Sequence, residues 1–103
     1  MEFIETSTFT KLVYSFLSDD EYVGLQGFMF MYPEAGDLVP GSGGVRKLRW
    51  ATAGKGRRGG VRVIYYFKKR DSEIWMLTIY GEDQVENIPA DILRLIVEEV
   101  INA

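Results

Sequence analysis

Hydrophobic residues near the N-terminus recur at the spacing of one helical face. That face consists of Phe9, Leu12, Val13 and Phe16. The i, i+3, i+4, i+7 spacing predicts a short amphipathic helix that ends at about Phe16, with Ser7 or Thr8 as its N-cap. The preceding residues 2–6 alternate loosely between apolar and polar side chains, which indicates a first strand.

A second helix is predicted from Ser18 to about Tyr32. Ser18 and Glu21 have the spacing of a capping box, in which each residue satisfies a backbone donor of the other. The apolar stripe of this helix consists of Tyr22, Leu25, Phe28, Met29 and Tyr32. Pro33 and Gly36 end the helix, so the chain is expected to begin with an α-hairpin.

Three strand-like stretches follow a loop that glycine and proline interrupt over residues 33–44. Residues 45–51 alternate imperfectly between apolar and basic side chains, and residues 60–68 are rich in β-branched and aromatic residues. Residues 73–80 form a near-continuous apolar run, which predicts a central strand that is buried on both faces. A polar loop over residues 81–88 then leads to the last element.

The last element is predicted to be a helix with Pro89 in its first turn and Asn87 as a candidate cap. Its apolar face consists of Ile92, Leu93, Ile96, Val97 and Val100. The predicted order is therefore β-α-α-β-β-β-α. It describes an α+β fold in which a small antiparallel sheet carries two N-terminal helices and one C-terminal helix, with the helices packed on one face.

Composition limits the available chemistry. The chain has 103 residues, of which 47% are hydrophobic and 26% charged, so one globular domain over residues 1–103 is expected. It contains no Cys and no His, which excludes disulfides, thiolate or imidazole metal sites and nucleophiles activated by His. Neither a metal nor a cofactor is expected. The N-terminus lacks the pattern of a signal peptide and no apolar run approaches the roughly 20 residues of a membrane span, so a cytoplasmic location is expected.

Charge is distributed very unevenly. The basic segment, residues 46–70, holds 10 of the 12 Lys and Arg residues and no Asp or Glu. Its formal charge is +10, whereas the rest of the chain carries −13. A solvated basic surface is the plain interpretation. The stronger hypothesis is a site for a polyanion, since Lys and Arg that face phosphates provide affinity and positioning.

Strand geometry predicts which cations lie together. Lys47 and Arg49 share one face of their strand because side chains alternate with a period of two, and Arg46 lies on the other face. Arg62 joins the Lys47 and Arg49 face if the hairpin register allows it. Such cations repel one another unless an anion lies among them; salt bridges to the acidic remainder of the chain are the structural alternative. Tyr65, Tyr66 and Tyr80 lie on adjacent predicted strands, where a Tyr ring beside cations can stack on a base. Core packing is favoured for Tyr65 and Tyr66, which leaves Tyr80 as the candidate stacking platform.

A GxGxxG pattern at residues 54–59 does not mark a nucleotide-binding fold. It opens a strand, whereas the dinucleotide fingerprint opens a helix, and the chain lacks the other kinase motifs. The better interpretation is a basic hairpin loop. Its glycines let the backbone approach phosphates closely, while Lys55, Arg57 and Arg58 supply charge.

Two glycine-framed basic motifs resemble those of a known family. The motifs are residues 36–49 (GDLVPGSGGVRKLR) and residues 54–66 (GKGRRGGVRVIYY), followed by the LTIY of residues 77–80. Together they resemble the HigB-like branch of the RelE/ParE toxins of type II toxin–antitoxin systems, over roughly residues 15–100. The resemblance implies the same α+β fold and a ribosome-dependent mRNA endonuclease, or mRNA interferase. Such an enzyme is a hydrolase-class toxin that inhibits translation by cleaving mRNA in the ribosomal A site.

The resemblance also implies residue roles and partners. Lys47 and Arg49 match the family's basic strand pair, proposed to transfer protons and stabilise phosphate, and Arg62 matches the clamp for the transition state. Lys55, Arg57 and Arg58 are then expected to hold ribosomal RNA, and Arg46, Lys68 and Lys69 complete the predicted RNA-binding set. The implied partners are the ribosome with its mRNA and a cognate antitoxin, expected to be a helix-turn-helix protein.

One departure from the family pattern concerns the segment after Tyr80. The family has a basic residue there, whereas this chain continues with Gly81, Glu82, Asp83 and Gln84. Three outcomes follow: weak activity, use of Tyr80 as the missing group, or loss of cleavage with binding retained. The last describes an RNA- or antitoxin-binding protein of the same fold. The gyrase-inhibiting branch of the superfamily is a further alternative that the motifs favour less.

Overall fold

The computed structural model describes residues 1–52, 60–84 and 88–103, and it has the α+β class predicted from the sequence. The strands are β1 (Glu2–Glu5), β2 (Asp37–Leu38), β3 (Arg46–Trp50), β4 (Val61–Lys68) and β5 (Glu73–Gly81). The helices are α1 (Ser7–Phe16), α2 (Asp19–Met31) and α3 (Ala90–Ile96), with a 3₁₀ turn at Lys69–Asp71 and a π-helical turn at Val97–Ile101. Each predicted helix and strand is present.

The N-terminal cap of α2 follows from neighbouring residues, whereas the cap of α1 also involves a contact with a distant strand. The predicted capping box of α2 is confirmed: the Ser18 hydroxyl accepts from the Glu21 N–H at 3.2 Å, and the Ser18 N–H donates to Glu21 Oε1 at 2.9 Å. The predicted cap of α1 is wrong by one or two residues, because Thr6 caps it. The Thr6 hydroxyl accepts from the Phe9 N–H and also donates to the Leu77 carbonyl of β5 at 2.8 Å, so a contact between distant parts of the chain accompanies this cap.

The sheet has the strand order β1-β5-β4-β3-β2. β3 to β5 form the predicted antiparallel meander, and β2 extends it by one antiparallel strand. β1 pairs with β5 in parallel, so the sheet is mixed. β1 takes the free edge of β5 because β4 occupies its other side. β2 lies in the segment predicted to be only loop. Gly41, Gly43 and Gly44 adopt positive φ angles there and reverse the chain, which brings Asp37–Leu38 beside β3.

Helices cover both faces of the sheet, which corrects the prediction that they pack on one face. Phe9 and Val13 of α1 and Leu25 and Met29 of α2 lie in one buried core, against strand residues that include Tyr65. Leu93, Val97 and Ile101 lie in a second core on the other face, with Val45, Ile64 and Leu77. The reason is that β4 and β5 are apolar on both faces, as predicted for β5, and each face has to be covered.

The C-terminal helix begins after Pro89, close to where the sequence predicts it. Leu93 and Val97 are buried as predicted, but Val100 is exposed and Ile101 is buried in its place. The final turn is π-helical, with the Asn102 N–H bonded to the Val97 carbonyl at 2.8 Å. This wider turn rotates Ile101 toward the sheet, a change that a regular helical period does not predict.

Within the described ranges, none of the helices has both the length and the hydropathy to cross a bilayer.

Candidate nucleic-acid interface

Three of the predicted site residues form a row across the sheet. Arg49 of β3 lies directly opposite Arg62 of β4, and Arg62 lies directly opposite Tyr80 of β5. Residues in such positions share a face, with Cβ atoms about 5 Å apart. Lys47 lies on the same face, two residues before Arg49. The register therefore brings together the strand cluster, Lys47, Arg49, Arg62 and Tyr80.

The strand cluster lies on the face that carries α3. A small cleft of about 60 Å³ opens there, and its lining residues are Val39, Lys47, Ile64, Tyr80, Ile88 and Leu93. Tyr80 is half-buried and packs against the α3 core, while Lys47 is exposed. Lys47 has no ion pair with any residue in the described ranges.

A larger groove of about 620 Å³ lies at the C-terminal end of α2. It is lined by Phe28, Met31, Tyr32, Pro33, Glu34 and Ala35. These residues include one carboxylate and no cation, so they do not form a phosphate site. The strand cluster is the better candidate, because three of its four side chains carry the charge or fork geometry that phosphate oxygens require.

Glu82 lies within the strand cluster and contacts both arginines. One carboxylate oxygen is 3.2 Å from Arg49 Nη2, and both oxygens pair with the two terminal nitrogens of Arg62. The side chains of Arg49, Arg62 and Glu82 are 68%, 18% and 29% exposed, so Arg62 is partly buried and Arg49 is open to solvent. The two guanidinium groups therefore converge on one anion instead of pointing apart to separate carboxylates.

The ionisation of Glu82 follows from these contacts. The hydrogen bond from Arg62, together with the positive charge of Arg49, lowers the pKa of Glu82 below its ordinary value of 4.5. Glu82 is therefore an anion at neutral pH. A carboxylate with a lowered pKa is also a weaker proton acceptor than an unpaired one, which makes Glu82 a poor general base.

Acid should destabilise the protein through this pair. Because the folded-state pKa of Glu82 is lowered, its contribution to stability is complete above 4.5 and is lost as the pH falls through the folded-state pKa. Asp71, whose pKa is lowered by a hydrogen bond from Lys68, acts with the same sign. Urea unfolding between about pH 7 and about pH 3 should show a free energy of unfolding that falls in the acid range. Glu82→Gln should flatten that fall; an unchanged slope would contradict this role of Glu82.

Two of the other predicted RNA-binding residues have structural partners elsewhere. Arg46 lies on the opposite face, where it donates to the carbonyls of Glu34 at 3.0 Å and Gly36 at 2.7 Å and pairs with the Glu34 carboxylate. Lys68 donates to the Ile101 carbonyl at 2.8 Å and pairs with Asp71 at 3.0 Å. The structure thus does not bring either residue to the strand cluster.

The remaining predicted RNA-binding residues lie outside the cluster or outside the described part of the chain. Lys69 is exposed in the 3₁₀ turn, beyond the end of β4 that is distant from Arg62, roughly 20 Å along the strand. Lys55, Arg57 and Arg58 fall within residues 53–59, and the candidate cap Asn87 falls within residues 85–87; both segments lie outside the described residues.

For Tyr65 and Tyr66 the sequence favours core packing over a role as stacking platforms. Packing is confirmed for Tyr65, which is fully buried. Its hydroxyl accepts from the Gly36 N–H at 2.9 Å and donates to the Pro33 carbonyl at 2.8 Å, and burial raises its pKa. Tyr66 is half-buried against the α3 core. Tyr80 is therefore the tyrosine that the strand register joins to the cations.

Sequence reasoning noticed Glu82 only as a departure from the family pattern. Glu82 contacts Arg49 and Arg62 because of the β3–β4–β5 register, which could not be predicted from the sequence. Val39, Ile88 and Leu93, which line the cleft, gave no signal beyond being apolar. Among the described residues, acidic side chains do not gather in a group of three or more that would hold a metal ion.

No protein-family model matches the chain.

Proposed function

We propose that the protein is the toxin of a type II toxin–antitoxin system that cleaves ribosome-bound mRNA in the A site. The observation that supports this most directly is the row of Arg49, Arg62 and Tyr80 on adjacent strands, with Lys47 beside it. The two guanidinium groups already bind one anion together, which is the arrangement that a phosphodiester requires. The proposed partners are the ribosome with its mRNA and a neutralising antitoxin, and the proposed location is the cytoplasm.

The proposed reaction needs no imidazole, metal or cofactor. The 2′-OH of the mRNA attacks the adjacent phosphorus, the O2′–P bond forms and the P–O5′ bond breaks. The products are a 2′,3′-cyclic phosphate and a 5′-OH. The attacking hydroxyl loses a proton and the leaving oxygen gains one, while negative charge grows on the non-bridging oxygens. Catalysis then consists mainly of positioning and charge stabilisation.

Each residue of the strand cluster has a proposed role in this reaction. Arg62 presents a bidentate fork to the non-bridging oxygens, and its partial burial strengthens that interaction. Arg49 is more exposed and supplies a second charge at the rim. Lys47 is proposed to transfer a proton, and Tyr80 either stacks on a base or acts in place of the basic residue that the family has after this strand.

A second candidate function is favoured by Glu82. A carboxylate within the cluster is unusual for a site that binds phosphate, and it favours a protein of the same fold that docks on RNA or on an antitoxin without cleaving. Such a protein would retain the arginine pair for binding. The two candidates differ in one observable, which is the appearance of cut mRNA.

Primer extension on translated mRNA separates the candidates. Expression of the protein without its antitoxin, followed by extension from a reporter mRNA, should show new 5′ ends that map to A-site codons and carry a 5′-OH. The same mRNA incubated with the protein but without ribosomes should remain intact. Bound but uncut mRNA would support the binding protein and contradict the nuclease.

A further inference from the structure

Glu82 occupies the position in the strand cluster where the proposed substrate phosphate has to lie. Its carboxylate pairs with both terminal nitrogens of Arg62 and reaches Arg49 as well. These nitrogens are the same donors that would clamp the non-bridging oxygens of a phosphodiester. Arg62 has a single outward fork, so the carboxylate and a phosphate compete for it.

The backbone holds Glu82 at this position. Its N–H donates to the Gly60 carbonyl at 3.2 Å, which continues the β4–β5 pairing one residue past Gly81. The Gly81 N–H donates to Gln84 Oε1 at 2.8 Å, which fixes the turn that follows. The carboxylate is therefore a tethered ligand with a high effective concentration near the arginines, and it rebinds readily whenever it dissociates.

Displacement of this carboxylate does not require the fold to open. Glu82 is 29% exposed and its partner Arg49 is 68% exposed, so the side chain can rotate outward into solvent. The strand pairing that positions Arg49, Arg62 and Tyr80 involves backbone groups and stays in place. A competing anion thus has to replace one side-chain contact rather than a structural element.

We propose that Glu82 is an internal anion that excludes single phosphates from the Arg49–Arg62 site and yields only to a polynucleotide. This inference rests on the proposed function and names the selectivity of the same site. A lone phosphate contacts only the two arginines, so it does not displace the tethered carboxylate. An RNA strand also contacts neighbouring cations such as Lys47. The binding free energy from all of these contacts together exceeds the free energy lost when the Glu82 contacts break.

The test compares Glu82→Gln with the matched control Glu34→Gln. Both changes remove one carboxylate charge that is paired with an arginine, but Glu34 pairs with Arg46 on the opposite face of the sheet. The probes are inorganic phosphate, followed by the shift in Tm, and a fluorescent 2′-O-methyl RNA oligonucleotide that cannot be cleaved, followed by anisotropy. Glu82→Ala serves as the second variant, and circular dichroism checks that each variant is folded.

Phosphate should raise the Tm of Glu82→Gln and of Glu82→Ala but leave the unmodified protein and Glu34→Gln unchanged. The RNA should bind Glu82→Gln about tenfold more tightly, since a charge-assisted contact no longer has to be displaced. The gain should disappear in the double variant Glu82→Gln/Arg62→Gln. Equal effects of Glu82→Gln and Glu34→Gln would show a general effect of net charge and overturn the proposal.

The two proposals fail in different ways. If the unmodified protein binds RNA and Glu82→Gln gains nothing with either probe, the role of Glu82 is overturned while the proposed function is not. If phosphate stabilises Glu82→Gln but no variant binds or cleaves RNA, the exclusion of single phosphates by Glu82 is supported, whereas displacement by a polynucleotide and the proposed function are both overturned.

Discussion

Replacement of Arg62 by alanine should lower the rate of A-site cleavage about 100- to 1,000-fold, the cost of removing one preorganised donor from a transition state. Arg62 is the less exposed member of the arginine pair and lies between Arg49 and Tyr80 in the strand register. It therefore has the geometry to hold both non-bridging oxygens. The rate is measured on ribosomes programmed with a defined mRNA, and the cellular readout is relief of the growth arrest that expression without antitoxin should cause.

The matched control for this prediction is Arg70→Ala. Arg70 belongs to the same basic segment and its side chain is 81% exposed, but it follows the end of β4 distant from Arg62. Arg70→Ala should change the cleavage rate by no more than about twofold, because at the cluster it alters only the long-range electrostatic field of the protein. Arg62→Lys keeps the charge and loses the fork, so it should recover only part of the rate. Full toxicity of Arg62→Ala would contradict the assigned site.

Replacement of Gly60 by alanine should have the largest effect on stability. Gly60 adopts a φ of +80°, and a Cβ at this position would lie 2.1 Å from the Trp50 carbonyl oxygen. The expected cost is about 2–4 kcal/mol, from the left-handed conformation together with overpacking against backbone that cannot move aside. Because Gly60 also accepts the Glu82 N–H, the variant should disturb the strand cluster as well. Urea unfolding measures the first effect.

Gly24→Ala is a control that should change the free energy of unfolding in the opposite direction to Gly60→Ala. Gly24 lies within α2, and a Cβ there would meet nothing within 4 Å. Alanine should therefore stabilise the protein by about 1 kcal/mol, through its higher helix propensity. If Gly60→Ala and Gly24→Ala had similar effects on the free energy of unfolding, the conformational argument for Gly60 would be wrong.

The elements of the fold were predictable because they depend on short-range patterns. The Ser18–Glu21 capping box, the Leu25 and Met29 stripe of α2 and the apolar run of β5 are all properties of neighbouring residues. The Thr6 cap was not predictable, because the contact that favours Thr6 over Ser7 comes from the Leu77 carbonyl on the last strand. The parallel pairing of β1 likewise depends on which edge of the sheet remains free.

The candidate site was predictable in its residue types and only partly in its arrangement. Strand periodicity placed Lys47 and Arg49 on one face, and the structure adds that the β3–β4 register places Arg62 opposite Arg49. Arg46 and Lys68 have the same charge, yet contacts with Glu34 and with the end of the C-terminal helix hold them elsewhere. The charge pattern of the sequence alone does not distinguish a cation that binds a ligand from one that hydrogen-bonds to a neighbouring segment of the same chain.

By itself, then, the sequence determined the three helices, four of the five strands, the lack of imidazole and thiol chemistry and the concentration of cations in one segment. Tertiary structure alone decided which cations meet, which helices cover which face, and that Glu82 reaches the two arginines. The physical reason is that alternation along one strand is a property of the chain, whereas the alignment of one strand with the next depends on turns and on two cores built from distant residues. A shift of one residue in that alignment would have moved Arg62 to the opposite face from Arg49.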